Sequence, residues 1–413
     1  MRRRYEYISG DSHVELSPEV WRHRVVERYR DRAPRLIELA NGSQAWLAEN
    51  RSLSIPMPDL SSGRPYEDWD PGWARYDGAA GAGTPEQRLL EQDRDGIDAE
   101  VLFTGVGSRR MCNGIADDDA YVAVVRGYND WLAEEYCSAA PDRLIGLLII
   151  PERGVDMALQ ELDRCAKRGA KGVSLGRFPS GHLYPTPEDD RFWEAALAMQ
   201  MPLTIHSAGT NEDAGPPGRR DGRPGDPAFG IAERCGRSGL GGGPLAMNMV
   251  MNGLFERFPE LQIYFAENQF GWVPNFGEQA DIVYLRHHVW FAKHRGFKPL
   301  DRLPSDYLKQ HFLWGFMDNP VGVQARHYSG ADKLIWGSDF PHQPSDWPAS
   351  LDTIERNLAG VPEDERSLMV AGNCMRFFHL DTFETTEERE RCVAERRNKA
   401  SRADASVGTT RAS

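Results

Sequence analysis

The chain has 413 residues, 40% of them hydrophobic and 27% charged, so it can bury a large core. This length fits one large barrel or two to three ordinary domains. The 62 acidic residues outnumber the 49 basic ones and give a net charge of −13, which argues against a nucleic-acid partner and favours the binding of small molecules.

Membrane association and secretion are also not expected. No stretch approaches the ~18 apolar residues of a membrane span, and the basic start lacks the apolar segment of a signal peptide. The six cysteines include no CxxC pair, which is typical of free thiols in a reducing compartment. We therefore expect a cytoplasmic protein without a membrane partner.

Short apolar runs alternate with helix-compatible sequence along the chain. Behind the first run, Pro18 at a first helical position and the spacing of Trp21, Val25 and Tyr29 predict a helix. Further helices are expected over 85–96, 117–139, 154–168, 189–200, 246–258, 274–294, 321–328, 350–358 and 362–378.

The apolar runs themselves have the length of strands. They lie near residues 5, 99, 144, 171, 202, 261, 311 and 333. The run from Leu144 to Ile150 is typical of a strand covered on both faces. Eight parallel strands, each followed by a helix, predict an α/β fold, the (β/α)8 TIM barrel. A doubly wound open sheet is the alternative, but the turn after the first strand, GDSHVE, is not the glycine-rich phosphate turn of that fold.

Three segments lie outside this alternation. Residues 41–83 are rich in Gly, Pro, Ser and Trp, and we interpret them as an insertion over a binding surface, after the first strand-helix unit. Residues 207–243 form a long loop after strand five, which could close as a lid or be a disordered insertion or an oligomer contact. We expect one barrel domain over 1–380 and a charged, partly disordered tail over 381–413.

Ionisable side chains stand where several expected strands end. Asp11 and His13 lie two residues apart behind the first strand, and extended backbone projects both from one face. His206 ends the fifth strand, Glu267 follows the sixth and Asp339 follows the eighth. In a barrel these ends share one mouth, where two imidazoles and two carboxylates could bind a divalent cation.

This pattern resembles the amidohydrolase superfamily. The Asp-x-His pair, the histidine closing the fifth strand and the motif GSDFPH at 337–342 are similar to its decarboxylase-like branch, which includes aminocarboxymuconate semialdehyde decarboxylase and resorcylate decarboxylases. The resemblance covers residues 5 to 380 and implies a TIM barrel with a bound metal, usually Zn²⁺ and sometimes Mn²⁺. It assigns ligand roles to Asp11, His13, His206 and Asp339, and it also implies a homodimer as one option.

The sequence departs from that branch at two positions. Many relatives begin with His-x-His or Glu-x-His, whereas Asp11 is a shorter carboxylate. The sixth strand commonly ends in a histidine that handles protons, whereas Glu267 stands there in this chain. A carboxyl group in that place could deliver a proton to carbon, act as a base for water, or be a structural acceptor.

Other residues have both a functional and a structural interpretation. Arg109 and Arg110 follow the second strand, where a guanidinium could bind a substrate carboxylate or remain a surface charge. Asn268, Trp272 and Phe340 are candidates for contacting the substrate, although buried aromatic residues more often belong to the core.

The ligand chemistry favours a metal that orients the substrate, because each anionic ligand lowers the Lewis acidity of the cation. The first hypothesis is a metal-dependent carboxy-lyase acting on a small aromatic or unsaturated carboxylic acid, with Glu267 or Asp339 as proton donor. His342 is a further catalytic candidate, or a second-layer residue that contacts a ligand. The second hypothesis is a hydrolase of the same superfamily that cleaves a C–N, C–O or C–C bond. A barrel used only for binding is the third, and the intact ligand set counts against it.

Overall fold

Strands and helices alternate along the chain as the sequence predicts. A computed structural model describes residues 5–49, 51–54, 60–69, 74–182, 184–206 and 242–380, with the backbone alone for 51–54, 106 and 107. The expected lid over 207–243 falls outside these residues except for its last two positions, and the expected tail over 381–413 falls wholly outside them.

Each expected strand has a counterpart in the structure. In chain order the strands are β1 (Ile8–Val14), β2 (Arg35–Glu38), β3 (Gln44–Ala48), β4 (Arg51–Ser54), β5 (Ala99–Thr104), β6 (Leu144–Gly146), β7 (Leu148–Ile149), β8 (Val173–Leu175), β9 (Leu203–His206), β10 (Ile263–Ala266), β11 (Phe312–Phe316) and β12 (Leu334–Trp336). The single strand expected near residue 144 is thus divided into β6 and β7.

Helices separate most of these strands. They are α1 (Pro85–Asp95), α2 (Val106–Asn113), α3 (Asp118–Trp131), α4 (Val155–Lys167), α5 (Asp190–Ala198), α6 (Gly243–Met251), α7 (Leu254–Arg257), α8 (Val273–Arg295), α9 (Pro304–His311), α10 (Pro320–Gln324), α11 (Ser350–Asn357), α12 (Glu363–Ser367) and α13 (Asn373–Phe377). Short 3-10 and π turns extend several of them.

The prediction of a continuous helix behind β1 is wrong. Three separate 3-10 turns occupy this stretch, at Pro18–Val20, Arg22–Arg24 and Glu27–Arg32. Val25 and Val26 between them have extended backbone, with ψ of 131° and 139°. Two adjacent β-branched side chains lose rotamer freedom in a helix, which disfavours helical backbone at these two valines.

The chain contains two compact units. The first comprises Met1–Ile149, Asp163–Val173 and Trp336–Ser413, and the second comprises Ile150–Leu162 and Ser174–Ile335. In the first unit, β5 lies between β1 and β6 and pairs in parallel with both. The expected insertion over 41–83 contributes β3 and β4, which form an antiparallel sheet with β2.

Strands β8 to β12 lie side by side in chain order. In the second unit, β10 pairs in parallel with β9 and β11, and its Phe265 is in register with Ile205 and Trp314. The rings of Phe265 and Phe312 lie 5.3 Å apart between centroids, in an edge-to-face arrangement. Each fully buried aromatic side chain of this kind stabilises the fold by about 1.5–3 kcal/mol, so the strand ends are held firmly in register.

The described cysteines are buried free thiols, as the sequence predicts: Cys112, Cys137, Cys165 and Cys374. Burial raises the pKa of Cys137 to about 12, which makes this thiol inert at neutral pH. Among the residues that the structure describes, no helix is both long and apolar enough to cross a membrane.

Helix α1 buries a polar face. Thr84 caps its amino end, Pro85 occupies the first turn and Gly96, with a φ of 76°, ends the helix. The buried side chains of the helix are Arg88, Glu91, Gln92 and Asp95. Leu90 is 57% exposed, so the buried face of this helix is formed by polar side chains.

Asp95 on this face generates a prediction on pH dependence. Its carboxylate accepts hydrogen bonds from the backbone N–H and the hydroxyl of Ser350, at 3.0 and 2.7 Å. Burial outweighs these bonds and raises the pKa of Asp95 from 3.8 to about 6. Because the folded-state pKa lies above the ordinary value, the group's contribution to stability is complete below pH ~4 and is lost as the pH rises through about 6.

We therefore expect Asp95→Asn to remove this pH dependence. Between pH 4 and pH 7.5, the free energy of unfolding of the variant should rise relative to that of the wild type by up to about 3 kcal/mol, the equivalent of two pKa units. Urea unfolding at several pH values measures this difference. A difference that stays constant across the range would contradict the interpretation.

Candidate metal centre

Asp11 and His13 lie at the carboxyl end of β1, where the pairing with β5 is irregular. Ser9 is in register with Glu100 and Ser12 with Leu102, so β1 contains one extra residue between these pairs. Asp11 and His13 are both 1% exposed. The backbone thus holds two polar side chains inside the first unit at a strand end.

Asp339 joins this pair through the backbone. Its N–H donates to the carbonyl of Asp11 at 2.8 Å, and the N–H of His13 donates to the carbonyl of Phe340 at 2.7 Å. Asp339 has a φ of 56°, the left-handed region that side chains other than glycine rarely adopt. Such strain at a buried aspartate is typical of functional sites. Gly337 is also required, because an added Cβ would lie 2.9 Å from the backbone nitrogen of Asp11.

The side chains of Asp11, His13 and Asp339 form a compact cluster. His13 Nε2 lies 2.9 Å from Asp339 Oδ1 and 3.5 Å from Asp11 Oδ1. One donor atom from each residue lies within 4.8 Å of the other two. Asp339 Oδ2 is buried, and no residue in the described part of the chain donates a hydrogen bond to it. Two buried carboxylates and an imidazole fit a divalent cation, which would offset the charge that burial makes costly.

Two histidines contact the same carboxylate oxygen of Asp339. His342 Nδ1 lies 3.0 Å from Asp339 Oδ1, and the His342 and His13 rings stack with centroids 3.7 Å apart. Burial raises the pKa of Asp339, but the charge of His342 and the hydrogen bonds from both histidines outweigh it and hold the pKa below its ordinary value. Asp339 is therefore an ionised acceptor at neutral pH.

Arg88 on α1 supports the cluster from behind. Its guanidinium donates to both carboxylate oxygens of Glu100, at 2.7 and 3.2 Å, and is 1% exposed. The same group donates to the carbonyls of His13 and Phe340, at 3.1 and 3.2 Å. The buried Arg88 guanidinium therefore fixes the backbone at His13 and at Phe340, next to Asp339. Its charge is balanced by Glu100, as buried charges require.

His206 and Glu267 belong to the second unit, at the ends of β9 and β10. The register pairs His206 with Ala266, so Glu267 stands one residue beyond the histidine on the neighbouring strand. His206 Nδ1 lies 3.6 Å from Glu267 Oε2, and about a quarter of each side chain is exposed. Glu267 has a φ of 53°, a second left-handed residue directly after a strand.

The other predicted site residues have varied surroundings. The Asn268 amide donates to the carbonyl of Ala266 at 2.6 Å, and Trp272 Nε1 donates to the carbonyl of Asn268 at 2.7 Å. Trp272 is half-buried, whereas the buried Phe340 ring packs under the Arg88 guanidinium at 4.4 Å. Arg109 lies on α2 and is 8% exposed, so it is no plain surface charge.

Three residues of this region are not predicted from the sequence: Arg88, Glu100 and Glu15. Glu15 had a detectable signal, since Asp11, His13 and Glu15 follow the period of two that places side chains on one face of a strand. Arg88 had a weaker one, the polar period of α1. Glu15 Oε1 lies 3.1 Å from His342 Nε2, on the side of that ring away from Asp339.

Comparisons with known proteins identify the family of this chain. The amidohydrolase family model matches residues 11–380. Gamma-resorcylate decarboxylase from a Polaromonas species is 24% identical over 358 residues, which cover 83% of this chain and 99% of the relative. An amidohydrolase structure from Mycobacterium avium subsp. paratuberculosis matches with a TM-score of 0.71 and 18% identity, over 91% of this chain and 100% of that one.

A further solved structure contains a metal. The 5-carboxyvanillate decarboxylase of Novosphingobium aromaticivorans, complexed with manganese and 4-hydroxy-3-methoxy-5-nitrobenzoic acid, matches with a TM-score of 0.63 and 18% identity. The match covers 91% of this chain and 96% of that one. At these identities the structural likeness establishes a shared fold.

Proposed function

We propose that this chain, which belongs to the amidohydrolase family, is a metal-dependent carboxy-lyase that decarboxylates a small aromatic or unsaturated carboxylic acid. The observation that carries the proposal is the buried cluster of Asp11, His13 and Asp339. Within this cluster, Asp339 Oδ2 accepts no hydrogen bond from the residues that the structure describes. The decarboxylase relative, which is covered over 99% of its length, supplies the reaction class.

We also propose that the parallel strands close into a (β/α)8 barrel. Support comes from the likeness to an amidohydrolase structure over 91% of the chain, and from the alternation of strands and helices. A closed barrel would direct the carboxyl ends of β1, β9, β10 and β12 toward one mouth.

His206 is the proposed fourth metal ligand, beside Asp11, His13 and Asp339. It ends a strand, as Asp11 and His13 do, and the family resemblance assigns it this role. Two carboxylates and two imidazoles suit several divalent cations. The resemblance implies Zn²⁺ first, and the manganese in the Novosphingobium enzyme supports Mn²⁺ as the alternative.

The bound cation supplies a chelation point for the substrate carboxylate and a neighbouring hydroxyl. The chain's own residues do the rest. The bond between the substrate carbon and its carboxyl group breaks, CO₂ leaves, and the electron pair stays on the carbon. That carbon takes a proton from the Glu267 carboxyl group, which solvent then reprotonates. Asp339 suits this donor role less well, because its lowered pKa keeps it ionised.

Substrate contacts are proposed for Arg109, Asn268, Trp272 and Phe340. Arg109 carries the charge that would bind a carboxylate. Trp272 is half-buried and offers an indole face, whereas the Phe340 ring already has Arg88 on one face and acts through packing.

Hydrolysis is the second candidate reaction, since one structural neighbour is called an amidohydrolase. In that case Asp339 would serve as the base.

A second copy of the chain is proposed to cover an exposed face of α8. Leu285 and Val289 are 58% and 66% exposed, and Ile282 and Ala292 are half-buried. These four side chains follow the 3-4-3 spacing of a coiled-coil seam, so they lie on one stripe of the helix. An exposed apolar stripe of this kind is typical of a protein interface.

Charge along α8 specifies what would cover that stripe. Glu278 is exposed in the first half of the helix, and Lys293 and Arg295 are exposed in the second half. Two antiparallel copies of α8 would set each acidic half against a basic half and would oppose the helix dipoles. Such self-complementarity is what a twofold homodimer requires.

The cytoplasmic location and the lack of nucleic-acid or membrane partners stay predictions.

Metal content and CO₂ release test the proposed function. Protein purified without chelator should hold about one equivalent of divalent metal and release CO₂ from hydroxybenzoates, and removal of the metal should abolish this release until metal is restored. Less than ~0.2 equivalents of metal without rebinding would contradict both enzyme hypotheses. Metal-dependent hydrolysis without CO₂ release would instead favour the hydrolase.

Glu267→Gln tests the proton donor. Because an amide cannot deliver the proton, turnover should fall by at least ~100-fold while metal content stays intact. Glu260→Gln is the matched control, since Glu260 is exposed and precedes the amino end of β10. Rates near those of the wild type in Glu267→Gln would leave Glu267 with a structural role.

A double variant tests the homodimer. Leu285→Asp with Val289→Asp should convert a wild-type dimer into a monomer, because charges on both sides of the interface would repel and lose solvation. Sedimentation equilibrium measures the mass. Val321→Asp is the control, since Val321 on α10 is also 66% exposed. A monomeric wild type, or a dimer that the double variant preserves, would refute the interface.

A further inference from the structure

We propose that Glu15, acting through His342, is a positioning residue that holds Asp339 in the orientation needed for metal binding. The inference rests on the proposed function and deepens it. It gives a role to Glu15, a residue to which the proposed function assigns no contact with metal or substrate. It follows from three carboxylate–imidazole contacts within the first unit.

His342 bridges two carboxylates. Its Nδ1 lies 3.0 Å from Asp339 Oδ1, and its Nε2 lies 3.1 Å from Glu15 Oε1. The histidine is 6% exposed and Glu15 is 3% exposed. Both ring nitrogens are therefore committed to carboxylate contacts, and the ring cannot turn without breaking at least one of them.

The ring is fixed in two further ways. It stacks on the His13 ring, with an interplanar angle of 24°. The carbonyl of His342 also accepts a hydrogen bond from the Ser62 hydroxyl at 2.8 Å. His342 and His13 both contact Asp339 Oδ1, which restricts the orientation of this carboxylate.

Gly105 leaves the space that the Glu15 carboxylate occupies. A Cβ added at Gly105 would lie 2.5 Å from Glu15 Oε2, which real structures do not allow. The backbone of Gly105 is tied to β1, since its N–H donates to the carbonyl of Val14 at 3.2 Å. The carboxylate of Glu15 thus rests on the backbone after β5, where only glycine leaves room for it.

The physical consequence is a loss of orientation when Glu15 is removed. His342 Nε2 would then be buried without its acceptor, an unfavourable state that the ring could avoid by turning. A turned ring would release Asp339 Oδ1. Residues that orient a metal ligand in this way typically change metal affinity by about 10–100-fold.

A second arrangement uses the same atoms. Donor atoms of His13, Glu15 and His342 lie within 4.8 Å of one another and could hold a cation of their own. The hydrogen-bonding arrangement argues for the positioning role, because His342 would have to give up Glu15 as a partner in order to bind a cation. The stoichiometry of metal binding separates the two.

Titration of the metal-free protein with Mn²⁺, with free Mn²⁺ followed by electron paramagnetic resonance, tests the inference without any activity assay. The wild type should bind one Mn²⁺ per chain. Glu15→Gln should weaken binding about 10-fold and Glu15→Ala about 100-fold, with the unfolding midpoint of the metal-free protein little changed. A merely structural role would lower that midpoint and leave the affinity alone.

Two more variants complete the design. Gly105→Ala keeps the identity of every site residue but displaces the Glu15 carboxylate, so it should also weaken Mn²⁺ binding at least 10-fold. It decides the question if the Glu15 variants do not fold. Asp98→Asn is the matched control, because Asp98 is a buried carboxylate next to the amino end of β5 that accepts the N–H groups of Glu6 and Tyr7.

The outcomes are distinct. Unchanged Mn²⁺ affinity in Glu15→Gln and Gly105→Ala would overturn the inference while leaving the proposed function in place. Two Mn²⁺ per wild-type chain, with one lost in Glu15→Gln, would overturn it as well, since Glu15 would be a ligand. A wild type that binds no Mn²⁺ or Zn²⁺ would overturn the inference together with the proposed function.

Discussion

Two carboxylates buried side by side are the constraint on which the rest of the site depends. Asp11 and Asp339 are 1% and 0% exposed, and both approach the same nitrogen of His13. Placing two negative charges in a low-dielectric interior costs several kcal/mol per ion unless positive charge lies close by. A divalent cation supplies that charge, which is why the cluster is interpreted as a metal site and not as a structural ion pair.

The surroundings of these carboxylates limit the freedom of each ligand. Backbone hydrogen bonds join the segments of Asp11 and Asp339, and Arg88 donates to the carbonyls of His13 and Phe340. Glu100 balances the guanidinium. Rigid ligands lose little entropy when they bind a metal, so such a scaffold favours tight and specific coordination. The left-handed backbone at Asp339 is maintained by the same contacts.

Much of this arrangement could be predicted from the sequence, because buried parallel strands are short apolar runs and functional side chains follow their ends. The strand ends predict Asp11, His13 and Asp339 as ligands, and the structure brings these three residues together. The contact between Glu15 and His342 joins residues 327 positions apart, and local patterns carry little information on such pairs.

Arg88 is not predicted as part of the site, because a polar period in a helix such as α1 normally indicates a solvated face. In this structure that face is buried in an ionic network. The helix expected behind β1 failed where two adjacent valines favour extended backbone.

The central claim is that one divalent cation binds where Asp11, His13 and Asp339 meet. Crystals of the protein loaded with Mn²⁺, measured at wavelengths on both sides of the manganese absorption edge, locate the metal directly. We expect one anomalous peak per chain, at about 2.0–2.3 Å from ligand atoms of Asp11, His13 and Asp339. A fully loaded crystal with no peak at this cluster, or with its peak on other residues, would contradict it.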